Sequence, residues 1–198
     1  IASALPAAFL FWKVKTKKGI IYKYKTLNLL LTSLMLLGSI TIFYGSYIEP
    51  RIIIKKEERI NLLGIEQPIR IALIADMQLG PYKREKFMER IVRKINAEKP
   101  DLVFIAGDLI DNTGGGLPEL EFLNPIGELT DQIPVYAVNG NHEYGLFTTN
   151  DIEKPRTSPD MSEAIKMKME SLGARFLVNE LESVTVNSEF FYLFGADE

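Results

Sequence analysis

Five side chains in three short motifs have the chemistry of a divalent-metal centre. The motifs supply two carboxylates, Asp76 and Asp108, two amides, Gln78 and Asn141, and one imidazole, His142. Carboxylate and amide oxygens bind hard divalent cations, and an imidazole can bind a metal or move a proton. Two such ions about 3.5–4 Å apart can clamp a phosphoryl group and activate a water. The residue types therefore favour phosphate-ester chemistry, with Asp108 as the natural bridge between two ions.

Each motif taken alone also has an ordinary structural explanation. Asp76 could cap a turn, and the segment 107–111 could form another turn. The segment 139–141 is turn-like in sequence, and His142, the one histidine of the chain, could be structural. What favours a metal site is the set, because the three motifs follow three apolar strands in order. We expect Glu143 to brace its loop or His142 instead of binding metal.

The segments around these motifs predict an α/β layered fold. Apolar, β-branched runs that end at polar motifs predict buried strands, and amphipathic segments between them predict helices. In such sheets ligands bind at the carboxyl ends of the strands, so the three motifs should meet at one edge. A second sheet is expected nearer the C-terminus. The predicted strands are 69–75, 102–106 and 134–138, then 175–178, 183–186 and 189–194 in the second sheet; the predicted helices are 84–98, 120–129 and 161–172.

The order of the motifs resembles that of the calcineurin-like metallophosphoesterases. The matching motifs are Asp-x-Gln at 76–78, Gly-Asp-x-x-Asp at 107–111 and Gly-Asn-His-Glu at 140–143. The resemblance covers residues 69–198, roughly the first half of such a domain, and implies a four-layer α/β/β/α sandwich. It also implies two divalent metal ions, Mn, Fe or Zn. Carried over, Asp76 binds one ion, Asp108 bridges both, Asn141 binds the other, and His142 assists the leaving group.

The chain departs from the family pattern at two points. The usual first motif is Asp-x-His, whereas this chain has Gln78, whose oxygen is a harder ligand than imidazole and favours Mn. A branch of the family that acts on nucleotide diphosphates also has Asp-x-Gln. The family supplies further His ligands from its second half, and this chain has no His after 142. Because the sequence opens on Ile1 inside an apolar run, we expect a piece of a longer protein that is inactive alone, with the remaining His ligands beyond residue 198.

The N-terminal part has the pattern of a membrane anchor. Residues 27–48 form an uncharged run of 22 residues, which matches the roughly 20 residues that cross a bilayer as helix. Residues 1–12 are also uncharged and predict the end of an earlier transmembrane helix. The basic segment 13–26 predicts a cytoplasmic loop. The segment 49–68 then acts as a linker, and we expect the catalytic domain, 69–198, to be extracytoplasmic at the cell membrane.

Composition limits the possible partners. Residues 1–59 hold ten Lys/Arg and three Glu, whereas residues 60–198 hold thirteen Lys/Arg and twenty-three Asp/Glu. An acidic body argues against nucleic acid as a partner. We therefore expect a membrane-anchored phosphoesterase acting on a phosphate ester, one that could derive from lipid or cell envelope. The alternative is a non-catalytic membrane-tethered scaffold with a degenerate phosphoesterase fold, and a small transporter subunit fits poorly because there are too few spans.

Overall fold

The computed structural model describes residues 24–112, 117–146 and 158–197. The chain divides into two compact units between Lys55 and Lys56, and each unit is described by itself. The transmembrane helix end expected at residues 1–12, and most of the basic loop expected at 13–26, lie outside the described residues.

The first unit is built around one long apolar helix. Helix α1 runs over Lys25–Phe43 and continues through a π-helical turn at Tyr44–Ile48 and a 3-10 turn at Glu49–Arg51. The whole segment has 27 residues, none of its apolar window is buried, and it is long and apolar enough to cross a membrane. The predicted span of 27–48 is therefore helical throughout, and the observed helix extends past it at both ends.

The second unit contains a parallel sheet of four strands in the order β1-β2-β3-β4. The strands are β1 (Ile71–Ile74), β2 (Leu102–Ala106), β3 (Val135–Val138) and β4 (Arg175–Phe176). All three pairings are parallel, so every carboxyl end lies at the same edge. The first three strands agree with the predicted ones to within two residues at each end. The prediction that all three are buried is wrong for β1, in which Ile71 and Leu73 are exposed. The α/β fold class is confirmed.

Helix α2 (Glu85–Glu98) has one apolar stripe, and its main neighbour in the fold is the segment Leu117–Ile126. Met88, Ile91, Val92 and Ile95 are its buried residues. Their spacing of three, one and three residues is that of one helix face. Phe87 lies beside this stripe, and the Lys83 ammonium is above its ring, 5.5 Å from the ring centroid.

The helix predicted at 120–129 is wrong in type. The chain forms 3-10 turns over Leu117–Ile126 and then a single α-helical turn, α3, at Gly127–Thr130. Pro125 lies inside this segment, and in an α-helix its ring would clash with the carbonyl of Glu121, four residues before it. The helix predicted at 161–172 is confirmed as α4, Ser162–Ser171.

The second sheet is a two-stranded antiparallel hairpin of β5 (Glu180–Val186) and β6 (Glu189–Gly195). Asn187 and Ser188 form its turn with φ of 51° and 68°, as a two-residue hairpin turn requires. The prediction that 175–178 joins this sheet is wrong, because Arg175 and Phe176 pair with β3 in the first sheet.

Candidate metal centre

Three polar loops leave the carboxyl edge of the parallel sheet, and two of them begin in a strained conformation. Asp76, Gln78 and Asp108 have φ of 52°, 44° and 52°. The left-handed region is unfavourable for residues with a Cβ atom, and such residues cluster at functional sites. Here the positive φ turns the chain sharply at Asp76 and Asp108, each two residues past the end of its strand, and again at Gln78.

Backbone hydrogen bonds join the first two loops. The Gln78 N–H donates to the Asp108 carbonyl at 2.8 Å, and the Asp76 N–H donates to the Gly107 carbonyl at 3.3 Å. Beyond them Leu79 forms a parallel bridge with Ile110. The β1–β2 pairing is thus resumed past the loops, which fixes the first motif beside the second.

Two glycines bring the third loop against the second. A Cβ atom at Gly107 would lie 2.6 Å from the Gly140 nitrogen, and a Cβ atom at Gly140 would meet the Asp108 carboxylate. Gly107 also has φ of 73°, which a residue with a side chain adopts only at a cost. The close approach of these loops therefore requires glycine at both positions.

Asp108 lies at the centre of the arrangement. Its side chain is 8% exposed, and its Oδ1 accepts the backbone N–H of His142 at 3.0 Å. A carboxylate has several acceptor directions, so this bond leaves capacity for cations. Asp76 is exposed at the neighbouring strand end.

The Asn141 side chain has a defined orientation. Its Nδ2 donates to the Leu146 carbonyl, and the Leu146 N–H returns to the Asn141 carbonyl at 2.9 Å. Because a carbonyl can only accept, the amide nitrogen must lie on that side. Oδ1 is then the side-chain atom that can coordinate a metal.

The His142 ring has a defined tautomer. Its Nδ1 lies 3.1 Å from the Asp111 carbonyl oxygen, so Nδ1 carries the proton. Its Nε2 lies 3.4 Å from Nε2 of Gln78. With the Gln78 amide nitrogen towards the ring, its Oε1 faces away from His142.

Glu143 braces the loops, as expected from the sequence. Its carboxylate is fully buried and accepts three backbone N–H groups, from Asp108 at 2.9 Å, Leu109 at 2.7 Å and Gly140 at 2.7 Å. Burial raises the pKa of the Glu143 carboxyl, the three N–H groups oppose that rise, and the charge of Asp108 adds to it. These bonds tie the second motif to the third.

Sequence reasoning missed Asn112. This residue is fully buried, and its Nδ2 donates to the carbonyls of His142 and Pro159, both at 2.9 Å. Nothing in the sequence separated it from an ordinary loop asparagine.

The residue types fit divalent cations, because two carboxylates, two amides and one imidazole lie on loops that leave the carboxyl edge of one sheet. Within the described ranges, no three His, Asp or Glu side chains gather into a metal-binding group. The five predicted site residues comprise only two carboxylates and one His, the other two donors being amides. His142 contacts both Asp108 and Gln78. Asn141 lies beside them because it is the residue before His142 in the chain.

This combination of fold and site defines an α/β protein with a candidate metal centre at the carboxyl edge of its parallel sheet. The sequence model of the calcineurin-like phosphoesterases matches residues 69–196. The chain belongs to this family, whose members usually bind divalent metals and act on phosphate esters.

Several curated relatives are similar to this chain over part of its length. An uncharacterized metallophosphoesterase of Helicobacter pylori is 33% identical over 102 residues, which are 52% of this chain and 26% of that protein. A Bos taurus transmembrane protein with a metallophosphoesterase domain is 37% identical over 76 residues, 38% of this chain and 17% of that protein. The uncharacterized metallophosphoesterase YkuE of Bacillus subtilis is 30% identical over 116 residues, 54% of this chain and 38% of that protein. The chain thus spans well under half of these relatives.

Proposed function

We propose that this chain is part of a membrane-anchored, metal-dependent phosphoesterase. The observation that carries the proposal is the convergence on Asp108, where the Gln78 loop, the His142 N–H and the Glu143 carboxylate all bind the second motif. Membership of the calcineurin-like family supports phosphate-ester hydrolysis as the reaction. In this proposal the domain spans 69–198, joined by a linker at 49–68 to a transmembrane helix at 27–48.

The proposed centre holds two divalent ions. Asp76 and Gln78 would bind the first, Asn141 the second, and Asp108 both. The ions would neutralise charge on the phosphoryl group and lower the pKa of the attacking water. Oxygen ligands at Gln78 and Asn141 favour Mn over Zn.

His142 is the proposed catalytic residue. Its Nδ1 proton is held by the Asp111 carbonyl, so Nε2 is the ring atom that faces outward to Gln78. In the imidazolium form both ring nitrogens carry a proton, and the Nε2 proton could be donated to the departing oxygen or stabilise the transition state. Proton transfer from a positioned side chain typically raises the rate by about 10²- to 10⁴-fold.

The substrate is proposed to be a phosphomonoester, phosphodiester or diphosphate. A helix that can cross a membrane lies within the same chain, and two similar animal proteins are named as transmembrane proteins. Both observations are the basis for proposing a membrane location, and a substrate derived from lipid or cell envelope is proposed from that location alone. Nucleic acid is not an expected partner.

Orientation is proposed from charge alone, with the basic segment 13–26 cytoplasmic and the catalytic domain extracytoplasmic. This chain has no cysteine, so Glu163→Cys in α4 adds a single exposed thiol to it. A membrane-impermeant maleimide should label that thiol in intact cells. Labelling only after lysis would reverse the proposed orientation.

The second candidate function is a non-catalytic membrane-tethered scaffold. Gln78 favours it, because an amide replaces the imidazole that is usual in the first motif. In a scaffold, partner binding should survive loss of Asp108, whereas in the enzyme turnover should not.

The test uses the full-length protein, purified in detergent and stripped of metal. It is assayed with bis-(p-nitrophenyl) phosphate and a nucleotide diphosphate, each with Mn, Mg, Zn or no metal. We expect turnover that depends on metal and is highest with Mn. A folded protein that turns over neither substrate with any metal would favour the scaffold.

A further inference from the structure

Asn112 is a buried residue that binds His142 directly. Its side chain is fully buried, and its backbone has φ of 55°. The two N–H groups of its amide point to two carbonyls, those of His142 and Pro159. Asn112 thereby joins the catalytic loop to the segment that leads into α4.

The peptide group that precedes Asn112 holds the other end of the same histidine. The Asp111 carbonyl accepts from Nδ1 of the His142 ring at 3.1 Å, while Asn112 Nδ2 donates to the His142 backbone carbonyl at 2.9 Å. The Asp108 carboxylate then accepts the His142 N–H. One short segment, 108–112, therefore fixes the ring, the N–H and the carbonyl of His142.

Asparagine is the residue type that suits this position. The NH₂ group supplies two donors, as the two carbonyls require, and aspartate supplies none. Asparagine also tolerates the left-handed conformation better than most residues with a side chain. Glycine would satisfy the backbone and lose both hydrogen bonds.

We propose that Asn112 is a positioning residue that sets the orientation and tautomer of His142. By holding the His142 carbonyl beside the Asp111–Asn112 peptide, it keeps Nδ1–H on the Asp111 carbonyl and directs Nε2 to the reaction site. Asn112 acts through His142 and does not touch the substrate. The kinetic part of this inference rests on the proposed phosphoesterase function; the part about the tautomer does not.

The first test is spectroscopic and independent of activity. Full-length protein labelled with ¹⁵N-histidine is compared with its Asn112→Asp and Asn112→Gly variants at a pH where the ring is neutral. The His142 signals are those lost in His142→Gln. We expect the Nδ1–H tautomer in the wild type and a gain of the Nε2–H tautomer in both variants. Asn187→Asp is the matched control, since Asn187 also has positive φ but lies exposed in the hairpin turn.

The second test compares leaving groups. The Asn112 variants should lose about 10- to 100-fold more kcat with phenyl phosphate esters than with p-nitrophenyl esters, because a poor leaving group depends more on proton donation from an imidazolium ring whose Nε2 is correctly directed. KM and bound metal should remain unchanged. An unaltered tautomer in a folded variant would overturn the inference, as would equal losses with both esters. If the wild type turns over neither ester, the proposed function fails, and the tautomer result still decides the role of Asn112.

Discussion

Replacement of Glu143 by glutamine is a sharp test of how the loops are held together. The Glu143 carboxylate accepts three buried N–H groups, and it keeps Asp108 and Gly140 in contact across two loops. Glutamine has nearly the same shape but only one acceptor oxygen. With that oxygen placed against the N–H groups of Asp108 and Gly140, its amide nitrogen must face the Leu109 N–H.

In this geometry two buried N–H donors, the new side-chain amide and the Leu109 backbone N–H, face each other without an acceptor. Each buried polar group without a partner costs about 1–3 kcal/mol, so Glu143→Gln should lower the free energy of unfolding by about 3 kcal/mol. For a chain of this size that corresponds to a fall in Tm of roughly 6–12 °C. The expectation assumes that the three N–H groups keep the Glu143 carboxyl ionised although burial raises its pKa.

The assay is thermal unfolding at pH 8, followed by circular dichroism of detergent-solubilised protein. Glu170→Gln, an exposed change near the end of α4, is the control and should alter stability by less than about 0.5 kcal/mol. A loss below about 1 kcal/mol in Glu143→Gln would refute the reasoning. It would mean that the Glu143 carboxyl is protonated in the fold, so that glutamine replaces it without penalty.

Three further predictions follow from the same geometry. Gly107→Ala and Gly140→Ala should each lower thermal stability and metal-dependent turnover, because the added Cβ would force the loops apart. Gly127→Ala is the control and should change neither property, since its Cβ would lie 3.7 Å from the nearest atom. Equal effects at all three positions would contradict the close packing of the loops. Burial raises the pKa of Glu119, so its contribution to stability is present below about pH 4.5 and is lost as pH rises through the raised pKa. Melts of Glu119→Gln at pH 4.5, 6 and 8 should therefore show the variant gaining stability relative to wild type as pH rises, and a difference independent of pH would contradict this. Gln78→His should shift the metal preference of the stripped protein from Mn towards Zn in competition binding, and an unchanged preference would remove Gln78 from the ligand set.

The sequence was sufficient to predict the strands that carry the site. β1, β2 and β3 are continuous apolar runs that end in polar motifs. The residue types therefore indicate both where each strand lies and at which end its polar motif is found. It was insufficient for β4, because a two-residue strand has no periodicity and its partner depends on where α4 returns the chain. The 3-10 turns over Leu117–Ile126 contain Pro125, which the amphipathic pattern did not take into account.

The candidate site was predictable in its residue types but not in its internal contacts. The order of the three motifs and the position of each strand end were enough to bring Asp108 and His142 together. The role of Asn112 was not predictable, because its bond to the His142 carbonyl joins residues 30 apart and depends on left-handed turns at both Asp108 and Asn112. Such conformations are set by the packed loops and not by local preference.

The measurement that tests the central proposal most directly is the turnover of bis-(p-nitrophenyl) phosphate by Mn-loaded full-length protein and by two aspartate variants. Asp108→Ala removes the proposed bridge between the ions, and Asp131→Ala removes an exposed carboxylate at the end of α3. We predict that wild type and Asp131→Ala turn over the ester only with metal, and that Asp108→Ala is inactive although folded. Turnover that persists in Asp108→Ala, or that does not need metal, would contradict the proposed centre.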